Sequence, residues 1–455
     1  MTHKYIGTIS FYKRMFAIAL PVMAQLFVQT LVSLVDNFMV AGLGDIKMSG
    51  VNVAGQIIFI FILMMDTVCL SGGIFMSQFF GSKDSEGMSQ SFKFKLIIGG
   101  IIAVLSAAVM FAAPRLLFHL MVTVNTDADL IIEQAVKYSR AVAPSFIFII
   151  VSQVISSSLR EIEIVRPPLV ISITAALINT FCNWLLIYGH LGMPRLEVVG
   201  AAYATVIARF CELIIFCIYI LCKRPPFLNG ISRLWHIDFR LFGRIIAKSS
   251  MILYAEGIWA VAETVSSAIL NTRGGADVVS GMNAGLTISH LFFICFAGIT
   301  VSTGVILGQE LGAGRLEQAK QYKNWALTGS LMIGVMFMLL GFASVLIIPI
   351  VFGSLSAEAR HIAFCLVVVT AGYMPLWAYL NGQYAISRAG GDTRMGAVCD
   401  TISNVLFVGA IIILAALTDL DPVALYALVK LSDVVKMIVA QLWLRRERWL
   451  VNLTK

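Results

Sequence analysis

Long apolar runs broken by short polar stretches dominate the chain. Windows of this kind lie near 14–40, 52–77, 92–113, 138–160, 166–189 and 199–222, then near 244–272, 283–308, 324–352, 361–387, 395–418 and 422–444. About 20 apolar residues in a helix cross some 30 Å of hydrocarbon, so each window predicts a transmembrane helix. The two sets of six are separated by "CKRPPFLNGISRLWHIDFRLFGR", a stretch with two prolines and several basic residues whose amphipathic tail suits a membrane surface. The expected fold is an all-α polytopic membrane protein with twelve transmembrane helices in two six-helix lobes. Residues 1–222 form the N-terminal lobe, 223–243 a cytoplasmic linker and 244–455 the C-terminal lobe.

The two sets repeat one another. "SGVNVAGQIIFIF" at Ser49 returns as "SGMNAGLTISHLF" at Ser280, 231 positions later. The same displacement superimposes Ser71 on Ser302, Gln78 on Gln309, Gly81 on Gly312, Glu86 on Glu317 and Pro144 on Pro375. A displacement of 228 brings "LREIEIVRP" onto "SRAGGDTRM", matching Arg160 with Arg388. Six helices per repeat is an even number, so both halves enter the membrane from the same side, a parallel duplication.

Composition agrees with the pattern. Hydrophobic residues make up 59% of the 455 and charged residues 13%, against roughly 45–50% and about 25% in soluble domains. The eight cysteines lie in or beside apolar runs without a CxxC pair, and read as small core hydrophobes. The net charge of +8 would suit nucleic acid, but with both termini in the cytoplasm most Lys and Arg fall in inner loops, which makes them a positive-inside collar. No nucleic-acid partner is expected, and no cleavable signal peptide: the first apolar run leads straight into a long span. P-loop, HExxH and GxSxG motifs are absent, and the six histidines are scattered, so neither ATP hydrolysis nor a membrane enzyme is indicated.

Four stretches resemble the multidrug and toxic compound extrusion (MATE) family: "ALPVMAQLFVQTLVSLVDNFMVAGLG", "SQFFGSKD", "GQELGAGRLEQAK" and "SRAGGDTR". The resemblance covers almost the whole chain. It implies two lobes alternating between inward- and outward-open states, and export of organic, often cationic and lipophilic, compounds driven by proton or sodium entry. It implies no cofactor beyond that coupling ion, no partner beyond substrate and membrane lipid, a monomer, and the cell (inner) membrane as location. A flippase for lipid-linked sugars in the same wider superfamily is the nearest alternative. The glycines of the loop stretches suit sharp turns at helix ends, with closure of an inner gate as the sharper alternative.

Acids within the spans are few, and a charge at bilayer depth costs at least about 2.5–3.5 kcal/mol unless it faces a cavity or a partner. Asp36 lies nine residues past the middle of the first span, about 13 Å along the axis, with no base nearby in sequence. Asn179 and Asn183 share one face of the fifth span, and Thr205 lies in the sixth. A carboxylate, two amides and a hydroxyl suit a proton acceptor or an oxygen-ligand sodium site. The resemblance places the ion-coupling site at these four positions, although many members carry a second aspartate where this chain has Asn183. In the seventh span Glu256 and Glu263 are seven apart on one face, and Glu256 has no basic residue in its neighbourhood. The resemblance implies a substrate- or cation-contacting glutamate near there. Asp66 interrupts the second span and is a further candidate for substrate or cation binding. Asp400 opens the eleventh, either as a functional carboxylate or paired with Arg394. Trp259 and Tyr373 are candidate ring faces for a lipophilic cation. Glu212 is expected to pair with Arg209, and Asp433 with Lys430 or Lys436, all at three-residue spacing.

Overall fold

A computed structural model describes residues 5–119, 121, 127–229, 236–353 and 355–455. These are helical almost throughout. Helices α1 (Ile9–Ala41), α2 (Asp45–Gly81) and α3 (Ser85–Ala112) are followed by a short α4 (Pro114–His119), then α5 (Ala128–Val142), α6 (Ser145–Glu161), α7 (Arg166–Tyr188) and α8 (Glu197–Lys223). The second series runs α9 (Phe239–Asn271), α10 (Ala276–Gly312), α11 (Leu316–Ser344), a short α12 (Ile348–Val351), α13 (Ala357–Ala389), α14 (Arg394–Leu417), α15 (Pro422–Lys430) and α16 (Ser432–Arg445). Ten of the described helices are long and apolar enough to span alone; α5 and α6, bent by 53°, together supply another. The shorter α15 and α16, which meet at Leu431, cover the twelfth apolar window and carry Lys430, Asp433 and Lys436.

Local chemistry sets the helix ends. Asp84 caps α3 by accepting from the Gly87 amide at 3.0 Å, and Ser356 caps α13 through the Ala359 amide at 3.1 Å. α7 opens on prolines and closes on Gly189 at φ 76°, a left-handed position that glycine takes without strain. The expected linker falls partly outside the described residues, at 230–235. What is described turns through Pro226–Leu228, with Phe227 buried against Phe92, and the stretch from Phe239 already belongs to α9.

The chain folds into two compact units. The N-unit comprises Ala24–Met76 and Asp84–Ile245; the C-unit comprises Met1–Met23, Ser77–Lys83 and Ile246–Lys455. The chain passes from one to the other within α1, just after the helix-interior Pro21. In the C-unit, α10 lies tight on α13: a Cβ on Gly281 would come within 2.6 Å of the Ala359 carbonyl oxygen. Small residues allow such contact where lipid provides no hydrophobic drive between helices.

The glycine-rich loop stretches meet in the C-unit. Gln78 donates to the carbonyls of Ala389 at 2.7 Å and Val451 at 3.2 Å, and accepts from the Leu453 amide at 2.7 Å. Asn452 donates to the Gly312 carbonyl at 3.2 Å. A Cβ on Gly312 would fall 1.8 Å from the Gln78 carbonyl oxygen, and one on Gly390 1.5 Å from that of Trp449. These glycines therefore permit backbone contact between segments as well as turning the chain.

Candidate functional sites

In the N-unit, α1 and α7 bring Asp36, Asn179 and Asn183 together. Asn183 Nδ2 donates to Asp36 Oδ1 at 2.5 Å. The Asn179 amide, nitrogen toward the carboxylate, reaches its two oxygens at 2.9 and 3.2 Å. Both asparagines are buried, whereas Asp36 is half-buried. Among the described residues no Lys or Arg lies at ion-pair distance from Asp36; the charge acting on it most is Arg209, itself bound to Glu212 at 2.8 Å. The Asn183 side-chain oxygen is buried without a hydrogen-bond partner. An orphan acceptor beside a carboxylate is costly unless something electropositive completes it. A proton-bearing group or a small cation would do so, and this donor set fits either.

Thr205 stands one step away. Its hydroxyl donates to the Ala201 carbonyl at 3.1 Å, and Tyr138 of α5 lies near both Thr205 and Asp36. Sequence reasoning missed Tyr138, whose ring reads as one more membrane aromatic. Asp66 is separate: its carboxylate accepts from Gln153 at 2.7 Å.

The C-unit contains a cavity of about 500 Å³, within the usual range for small-molecule sites. Glu256, Trp259 and Glu263 of α9 line it with Trp377, Tyr384 and Arg388 of α13, Asp400 and Asn404 of α14, Tyr426 and Lys430 of α15, and Asp433 and Lys436 of α16. The structure thus joins Glu256, Glu263, Asp400 and Trp259 in one place. Tyr373 lies behind it, stacked on Trp377 with centroids 5.4 Å apart and its hydroxyl on the Ala427 carbonyl at 2.8 Å.

Most of these acids have tertiary partners that local spacing did not reveal. Glu256 meets Arg388 at 3.4 Å, so its lack of a basic partner holds only along the sequence. Glu263 is bound by Lys430. Asp400 pairs with Lys436 at 2.5 Å, not with Arg394, and also accepts from the Tyr384 hydroxyl at 3.1 Å. Asp433 pairs with neither lysine and accepts from Trp377 Nε1 at 2.8 Å. The expected i, i+3 pairing with Lys430 gives way to partners on other helices, since Lys430 is bound by Glu263 and Asp433 by the Trp377 indole. Glu212 does pair with Arg209, and adds the Ser172 hydroxyl at 3.3 Å. Arg388 was the least legible partner, since its "SRAGGDTR" stretch reads as an interfacial loop.

Long helices in a duplicated series, with ionisable groups gathered at depth in each unit, define a polytopic α-helical membrane protein of transporter architecture. The MatE family profile matches residues 21–185 and again 258–412, one copy in each half. The chain belongs to the MatE family, and the double match is its internal repeat. It is 24% identical over 316 residues to the multidrug resistance protein MdtK of Cronobacter sakazakii, covering 68% of this chain and 66% of that protein. It is 23% identical over 321 residues to the multidrug resistance protein NorM of Vibrio vulnificus, covering 67% and 65%. The aligned part thus spans just under two thirds of these relatives' own length. Among solved structures, a MATE in complex with MaL6 superposes with a TM-score of 0.86 at 20% identity, over 96% of both chains. The MATE transporter VcmN of Vibrio cholerae, in a mutant form, gives 0.84 at 16% identity over 97% and 98%. At such identity the superpositions speak for the fold.

Proposed function

We propose that this chain is a secondary active exporter of small organic compounds, of the multidrug type for which its relatives are named. It works in the cell (inner) membrane with both termini cytoplasmic, as a monomer. Two six-helix lobes, 1–222 and 244–455 joined by 223–243, alternate in access, driven by proton or sodium entry. Asp36, Asn179 and Asn183, with Thr205 nearby, form the coupling site. The cavity lined by Glu256, Glu263, Asp400 and Trp259 receives the substrate, a lipophilic compound with positive charge. Asp66 and Tyr373 support these sites from outside them.

The observation that carries this reading is the setting of Asp36: amide donors around a carboxylate, an orphan acceptor beside it, and no base in contact. Neutralising Asp36 with a proton or sodium ion changes what Asn183 and Asn179 can donate to. α1, which lacks a backbone donor at its interior Pro21, then has two packings to choose between. An ion and a substrate that prefer opposite packings are coupled by that difference alone. A lipid-linked-sugar flippase would require free cationic groups for phosphate, whereas the three cavity bases are each engaged by a carboxylate. The test is efflux from proteoliposomes under separate proton and sodium gradients, for wild type and Asp36→Asn. Export under neither gradient overturns secondary transport.

A further inference from the structure

The C-unit cavity holds four carboxylates and three bases, and the bases are already committed. Arg388 is on Glu256, Lys430 on Glu263 and Lys436 on Asp400. Ring faces hold the bases as well: Lys430 lies 4.5 Å from the Phe407 centroid, and Lys436 5.4 Å and Arg388 5.8 Å from that of Tyr384. A cation that took any of these carboxylates would leave an ammonium or guanidinium uncompensated in a low-dielectric cavity, a strongly unfavourable exchange. Asp433 is different. It is half-buried, lines the cavity, and among the described residues has no Lys or Arg nitrogen within 4.0 Å; its hydrogen bond comes from the neutral Trp377 indole.

A second observation points to a ligand. Asn404 lines the same cavity, is only 9% exposed, and its side-chain Nδ2 has no hydrogen-bond partner. A buried unpaired donor is costly unless an acceptor completes it. Trp377, Phe293, Phe296 and Trp259 provide apolar ring surface around the cavity.

We propose that Asp433, rather than Glu256, Glu263 or Asp400, recognises the charge of the substrate, and that Asn404 selects among cations for one carrying a hydrogen-bond acceptor. This rests on the reading of the cavity as the substrate site and names which group selects within it. One added positive charge balances the one carboxylate without a base and breaks no existing pair. Glu256, Glu263 and Asp400 then serve to position α9 and α14 against α13, α15 and α16.

Equilibrium binding to the purified full chain in lipid nanodiscs tests this with two probes. Rhodamine 6G is an aromatic monocation with an ester carbonyl; tetraphenylphosphonium is a monocation without an acceptor. Asp433→Asn keeps an acceptor for Trp377 and should weaken both probes about tenfold or more, with Asp433→Glu restoring much of the loss. The control double variant Lys47→Gln/Glu197→Gln removes an ion pair of the N-unit, outside the cavity, without altering the net charge, and should change either affinity by less than about threefold. Asn404→Leu should weaken rhodamine 6G and spare tetraphenylphosphonium. Wild-type binding that survives Asp433→Asn overturns the inference alone. Absence of binding by wild type overturns the reading of the cavity, and the inference with it.

Discussion

The two units hold their buried carboxylates in opposite ways. In the N-unit, Asp36 is gripped by amides and meets no base, so its charge can be cancelled without orphaning another group. In the C-unit, three of four cavity carboxylates are matched to bases on other helices, so cancelling one of them exposes its partner. The scaffold is common: α1 and α9 each contain 33 residues, and α2 and α10 each contain 37. At the 231-residue displacement Asp36 falls on Ser267, and Glu256 and Glu263 fall on Gln25 and Val32. Duplication supplied two frames, and different residues at a few positions leave one with a carboxylate among amides and the other with carboxylates paired to bases.

The sharpest way to break the comparison is Asp36→Asn. It should fold, retain substrate binding and lose uphill efflux by about 100-fold or more, equal to ~2.7 kcal/mol of coupling. Proteoliposome transport read beside binding by the same preparation checks this, and normal uphill efflux would leave Asp36 a structural group like its C-unit counterparts.

Next in size is Lys430→Met, which strands Glu263 and should cost the fold about 3–5 kcal/mol. The double variant Glu263→Gln/Lys430→Met should regain most of the loss. Thermal unfolding of the three proteins in one detergent measures it; additive losses would mean that the pair does not act as a pair.

Smaller effects sharpen the contrast. Asn183→Ala removes one donor to Asp36 and the orphan oxygen together, so stability should fall by only about 1 kcal/mol. Coupling-ion dependence should shift far more than melting temperature. If the melting temperature drops and ion dependence stays, the amide is a packing group.

The smallest expected change is Trp259→Phe. A half-exposed ring is exchanged for a smaller ring, so affinity for an aromatic cation should fall by about 0.5–1 kcal/mol. A larger loss would move the centre of recognition from Asp433 toward α9.

A proline that occupies equivalent positions in the two halves shows where sequence stops being informative. Pro144 and Pro375 correspond in the repeat. At Pro144 the chain breaks into α5 and α6, bent by 53°, yet Pro375 lies inside an unbroken α13. Each proline removes one backbone donor, and surrounding packing sets the response. α11 presses on Pro375, with a Cβ on Gly334 falling 2.8 Å from its Cα. The twelfth span likewise reads as one apolar window, although α15 and α16 divide it at Leu431.

The sequence by itself determined the helical membrane fold, the repeat and the Asp36 cluster. Crossing hydrocarbon is a local demand on about 20 residues, and a carboxylate and two amides at depth are conspicuous without a structure. Only the tertiary structure decided which charges meet. Glu256 and Arg388 are 132 residues apart, and Glu263 and Lys430 are 167. Ion pairing acts across a few ångströms of space, and distance along the chain carries no record of it until the helices have packed.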